Sequence, residues 1–126
     1  MAWKYFQRTG VLCDSQGCGK ATGYAGGNCG KNPEGKNNPE MQNIPDVGPL
    51  PRGTYTMLAP VPHPKLGPLA IPLKPDPSNE MFGRGGFYCH GDSIENPGNV
   101  SEGCIVMPLW IRAMLATSQD RVIVVQ

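Results

Sequence analysis

The chain predicts a mainly β fold with long loops and one short helix, on three observations. Glycine and proline number 17 and 14 of 126 residues; they follow no period and fall between short hydrophobic runs, the pattern of tight turns joining short strands. Several of those runs alternate or are rich in β-branched and aromatic residues. Only Met107 to Ala116, M-P-L-W-I-R-A-M-L-A, reads as a helix, with Pro108 suited to its first turn. This length makes one domain, residues 1–126, that buries about two-thirds of its unfolded surface, enough for one core.

In chain order, W-K-Y-F-Q-R-T-G-V-L-C reads as a strand or hairpin entering the fold. Residues 14–53 are dominated by Gly, Asn and Pro and read as one long ordered loop, anchored by Tyr24, Met41, Ile44, Val47 and Leu50. Loops of that length are uncommon unless functional, so this one is a candidate wall of a substrate cleft. Gly53–Leu58 alternates and is a strand. Leu69–Leu73 is another, which Pro72 pushes to an edge or a bulge. Residues 74–82 form a turn-rich loop, Gly86–Gly91 a strand that ends at His90, and Arg121–Val125 a terminal strand of central position.

Charge and hydropathy exclude several classes. With 11 basic and 10 acidic residues the net charge is +1, which argues against nucleic acid as a partner. The longest apolar run, Ile105–Ile111, contains Pro108 and falls far short of the ~20 residues that span a bilayer. The N-terminal M-A-W-K-Y-F-Q-R has no apolar signal core and no small-residue cleavage site, so no cleavable signal and no membrane insertion are expected.

The chemistry concentrates between residues 90 and 104, H-G-D-S-I-E-N-P-G-N-V-S-E-G-C. A cysteine and a histidine are the minimal set for thiolate catalysis: the imidazole draws the thiol proton and the sulfur attacks a carbonyl. Cys104 is the candidate nucleophile and His90 its base. Ser101 could hydrogen-bond the imidazole or cap the turn. Gly103 allows a tight turn in which backbone N–H groups face a developing oxyanion. Asp92 could orient His90, bind substrate or form an Asx turn. The remaining Cys13, Cys18, Cys29 and Cys89 allow three pairings if fully bridged, which would suit an oxidising compartment. Their spacing does not match the usual zinc patterns, so no metal and no cofactor are expected. His63, in V-P-H-P-K, reads as a surface residue.

H-G-D followed by S-E-G-C-I resembles the catalytic signature of the L,D-transpeptidase superfamily, His-Gly then Ser/Thr-x-Gly-Cys. Histidine before cysteine is the order opposite to that of NlpC-type and papain-type hydrolases. The earlier G-Y-A-G and G-K-N-N-P-E-M-Q-N-I-P-D-V-G-P-L-P-R-G-T-Y extend the likeness, from about residue 20 to residue 112, to the type VI secretion L,D-transpeptidase effectors, antibacterial toxins that act on peptidoglycan. The resemblance implies a β-sandwich or barrel. It also implies removal of terminal D-alanine from stem peptides or its exchange for another D-amino acid, and action in the periplasm of target bacteria after secretion without a cleavable signal. The partners it implies are peptidoglycan stem peptides, a cognate immunity protein and a component of the secretion machine. Three departures stand out: a shorter His-to-Cys interval, Glu102 in place of a second histidine, and Val106 where an arginine or asparagine often follows the cysteine. That arginine helps hold substrate in the larger family; Arg84 or Arg112 could supply the charge, with Asp92 and Tyr24 as further substrate contacts. The departures at Glu102 and Val106 support an alternative, a non-catalytic peptidoglycan-binding module on this fold.

Overall fold

The structure, a computed structural model, describes residues 1–126. Its strands are β1 (Ala2–Tyr5), β2 (Val11–Cys13), β3 (Gly19–Thr22), β4 (Tyr24–Ala25), β5 (Gly53–Met57), β6 (Val61–His63), β7 (Gly67–Pro75), β8 (Tyr88–His90), β9 (Ile105–Val106) and β10 (Val122–Val125). One helix, α1 (Leu109–Thr117), precedes the last strand. The strands form one mixed sheet in the order β3-β2-β1-β10-β5-β7-β8-β9-β4, with β6 paired to β7 off this path. Two pairs are parallel, β1 with β10 and β8 with β9.

The two ends of this path, β3 and β4, are separated in the chain by Gly23 alone. The sheet therefore curls back toward its own start and wraps the core. Strand alternation supplies that core: Trp3 and Tyr5, Tyr55 and Met57, and Ile123 and Val125 each point inward at a spacing of two. From α1, Ile111 and Leu115 close over the same cluster. Burying each such aliphatic side chain contributes about 1.5–3 kcal/mol. No helix is long and apolar enough to cross a membrane.

Three expectations change. Residues 14–53 are not one loop: they hold β3, β4 and 3₁₀ turns at Asn28–Gly30, Pro33–Gly35 and Pro39–Met41. These pieces are too short and polar to show a period. Nor is β7 an edge; it pairs with β5 and β6 on one side and β8 on the other. Pro72 is tolerated because it sits opposite the junction of β5 and β6. Its carbonyl accepts from Leu58 N at 3.0 Å, and the Leu58 carbonyl that a normal residue would have bonded accepts from Arg121 Nη2 at 3.2 Å. Finally, all five cysteines are free thiols. Cys89 belongs to the core, where burial pushes its thiol up to about 12.

Gly23 must be a glycine at the closing point of the sheet, since a Cβ there would overlap the Val106 carbonyl and meet Met107 Sδ at 2.9 Å. Gly23→Ala is expected to lower the unfolding free energy by about 1–3 kcal/mol. The check is the urea midpoint, which should fall with its slope unchanged.

Candidate active site

The parallel pair β8–β9 sets the site. Cys89 lies opposite Ile105 and His90 opposite Val106. Cys89 and Ile105 point into the core, so by strand alternation Tyr88, His90 and Cys104 share the other face. Extending the register places Cys104 beside Tyr88, one diagonal step from His90. With the spacings of a β-sheet that diagonal is roughly 8 Å between Cα positions, a span the two side chains can bridge. Both line one cavity of about 270 Å³.

The imidazole is buried and held by a single bond, Nδ1 to the Gly91 carbonyl at 2.8 Å. A carbonyl only accepts, so Nδ1 carries the hydrogen and Nε2 keeps its lone pair for a proton. Gly91 is required beside it: a Cβ would fall 2.6 Å from Arg112 Nη2. Burial, with the nearby Arg112 charge adding to it, lowers the His90 pKa below the ordinary imidazole value. Burial raises that of Cys104 to about 11, reinforced by Glu102 and opposed by the Tyr88 N–H, which donates to Sγ at 3.3 Å, and by Arg84. At neutral pH Cys104 is thus a thiol and His90 a neutral imidazole, with no charge to keep buried.

The turn that carries the sulfur is tied down at four consecutive carbonyls. Ser101 O accepts from Cys29 N at 3.1 Å and Gly103 O from Leu50 N at 2.9 Å. Glu102 O accepts from Arg84 Nη2 at 3.2 Å and Cys104 O from Ser101 Oγ at 2.6 Å. The Ser101 hydroxyl also accepts from Gly26 N and Gly103 N, at 2.9 and 3.1 Å. Ser101 is therefore the internal cap of the turn and does not bond His90. Gly103 has φ +137, and a Cβ would come 2.6 Å from Arg84 Nη2, so the glycine of Ser-x-Gly-Cys is fixed by conformation and by space. Its N–H is directed to the Ser101 hydroxyl and so points within the turn.

The four residues named as substrate contacts are bound to the chain itself. Arg84 donates through Nη1 to Gln42 O and Pro49 O at 2.6 and 2.8 Å and through Nη2 to Gly48 O at 3.0 Å. It also stacks on Phe87, 5.2 Å from the ring centre. Arg112 is buried, bracing Met107 O and Leu69 O at 3.0 and 2.8 Å. Asp92 accepts from Tyr24 Oη at 2.8 Å and from Ser93 N and Gly98 N. Tyr24 accepts from Val100 N at 3.1 Å and lies beneath Lys36 Nζ at 4.5 Å. Asp92 and Tyr24 thus fold the segment between His90 and Cys104.

His63, expected at the surface, lines the cavity instead and meets Tyr88 edge-on at 5.2 Å. Its Nδ1 accepts from Lys65 N and Leu66 N at 3.1 and 3.2 Å, which puts its hydrogen on Nε2. The hint in the sequence was the His-Pro-Lys turn between two strands, but only the β6–β7 pairing brings it over the site.

Because Arg84 joins residues 42–49 to the turn of Cys104, Arg84→Gln is expected to cost about 2–4 kcal/mol by stranding part-buried carbonyls. Denaturant unfolding measures the loss; a change under ~0.5 kcal/mol would show that the clamp is not needed.

No curated protein matches the chain. The Tlde1 domain matches residues 19–122, a span that includes β3 to β9, α1, the cavity and the turn of Cys104. The chain belongs to the Tlde1 domain family, the L,D-transpeptidase effectors of type VI secretion that target peptidoglycan.

Proposed function

We propose that this chain is a cysteine acyl-transfer enzyme that cleaves the terminal D-alanine from peptidoglycan stem peptides or exchanges it for another D-amino acid. The observation that supports it most is that His90, at the end of β8, and Cys104, at the start of the paired β9, line one cavity. His90 takes the thiol proton as the sulfur attacks the carbonyl that precedes D-alanine. The Cys104 N–H supports the oxyanion, a kind of contact worth about 10²–10³ in rate. The C–N bond breaks, His90 returns its proton to the departing amine, and a thioester remains. Water completes hydrolysis; the amine of a D-amino acid or of a second stem completes exchange. In this reading Ser101, Gly103 and Arg84 are positioning residues, and Tyr24, Asp92 and Arg112 support the frame. Secretion into a target periplasm and an immunity protein that covers the cavity rest on the family alone.

Muropeptide digests followed by mass spectrometry test the reaction. Cys104→Ala is expected to abolish D-alanine release, and His90→Ala to slow it by about 10²–10⁴. Wild-type protein that binds sacculi and yields no product would make the chain a binding module instead.

The lowered His90 and raised Cys104 pKa values also set the pH dependence. Loss of the base requires protonated imidazole, which forms only below the ordinary value of about 6.5. The rate constant kcat/KM is therefore expected to hold as pH falls through that value and to decline below it, with the alkaline limb near 11, where the thiol titrates. An acid limb centred above pH 6.5 would contradict the buried neutral pair.

A further inference from the structure

The cavity at Cys104 is the middle of a groove. It shares Asp46, Glu102 and Phe87 with a cavity of about 150 Å³ on the Arg84 side. It shares Lys65, Leu66 and His90 with another of about 330 Å³ that reaches Gly91 and Ser93. Unpaired charge differs between the two ends. Asp46 and Glu102 lie outside any ion pair, as does Lys65; the chain's only ion pair joins Lys20 to Asp14. Arg84 adds a positive charge to the acidic end, two carboxylates against one guanidinium, but its Nη1 and Nη2 are spent on four carbonyls. Asp92 adds a negative charge to the Lys65 end, but its oxygens are occupied by Tyr24 and by backbone N–H groups, so Asp46, Glu102 and Lys65 are the charged groups left to meet a ligand. Glu102 keeps only a weak contact, from Cys29 Sγ at 3.8 Å. His63, through its bonds to Lys65 N and Leu66 N, fixes the turn that presents the lysine.

The chemistry gives this groove a direction. The group that returns a proton to the departing amine must stand on the leaving-group side of the sulfur. His90 borders the Lys65 end, and Glu102 borders the other. A stem peptide ending in D-alanine carries a free carboxylate on the leaving residue. The diamino acid on the acyl side carries an ammonium on its side chain. We propose that the groove orients its substrate by charge: Lys65 receives the terminal carboxylate of the departing D-amino acid, and Asp46 with Glu102 receives the side-chain ammonium of the diamino acid. The inference rests on the reaction proposed above and adds three specificity-determining residues to it. It also gives Glu102 a task at the position where the larger family carries histidine.

Binding separates this inference from turnover. Calorimetry with Cys104→Ala uses three ligands: a stem tetrapeptide with a diamino acid third and D-alanine last, its C-terminal amide, and its side-chain N-acetyl form. Amidation and Lys65→Gln are each expected to weaken binding about tenfold, a typical value for one partly desolvated charge pair. Combined, they should do no more than either alone, because both remove the same contact. Acetylation and the double variant Asp46→Asn/Glu102→Gln should behave in the same way as a second pair. Losses that simply add, losses that couple the lysine to the ammonium, or no binding of the tetrapeptide would each overturn the assignment. If the couplings hold but wild-type protein releases no D-alanine, the orientation stands and the proposed reaction fails.

Discussion

The tethering of four successive carbonyls, from Ser101 to Cys104, is the constraint on which the site depends. A turn with its carbonyls bonded outward cannot rotate its peptide planes without breaking several of these hydrogen bonds at once. The partners come from distant parts of the chain: Cys29 and Leu50 from the segment after β4, Arg84 from the approach to β8, and Ser101 from within. The sulfur is thus positioned by the whole tertiary fold. The loop-rich region 26–50 acts as a clamp on one side, and β8 fixes the other.

That clamp explains the electrostatic state of the pair. A sulfur held against the strand and largely shielded from water is costly to ionise, and an imidazole at 2 % exposure is costly to protonate. Both effects favour the uncharged forms, so charge separation is deferred until substrate arrives. The protein supplies few compensating charges at the sulfur itself. Arg84 lends a favourable field and Glu102 an opposing one. The backbone N–H of Tyr88 is the most direct stabiliser of the thiolate.

Much of this was legible in the sequence because it obeys short-range rules. Strands β5, β8 and β10 and the helix after Pro108 follow from alternation and from the place of the proline, and the residues at 90 and 104 that line one cavity are both singled out by their reactivity. What escaped depends on contacts that no local pattern encodes. Arg84 and Arg112 look like substrate anchors in a list of residues, yet each is consumed by carbonyls far away in the chain. His63 looks like a loop residue until β7 folds its hairpin over the cavity. Pro72 argues for an edge by rule, and the rule gives way because the gap between β5 and β6 supplies what proline lacks. Ser101 fits both a catalytic and a capping reading by spacing; only its three bonds to Gly26, Gly103 and Cys104 separate them.

The parallel register of β8 and β9 has an evolutionary consequence. The imidazole is placed by β8 and the sulfur by the tethered turn 101–104 that leads into β9, whereas the stretch between them, 91–100, crosses over and is secured by Tyr24, Asp92 and the Lys36 bond to Gly98 O at 2.9 Å. Chain length between the two reactive groups is therefore decoupled from their separation in space. A shorter or longer crossover would leave the strand pairing of β8 with β9, and so the positions of His90 and Cys104, unchanged. The compact interval in this chain is one setting of that adjustable part.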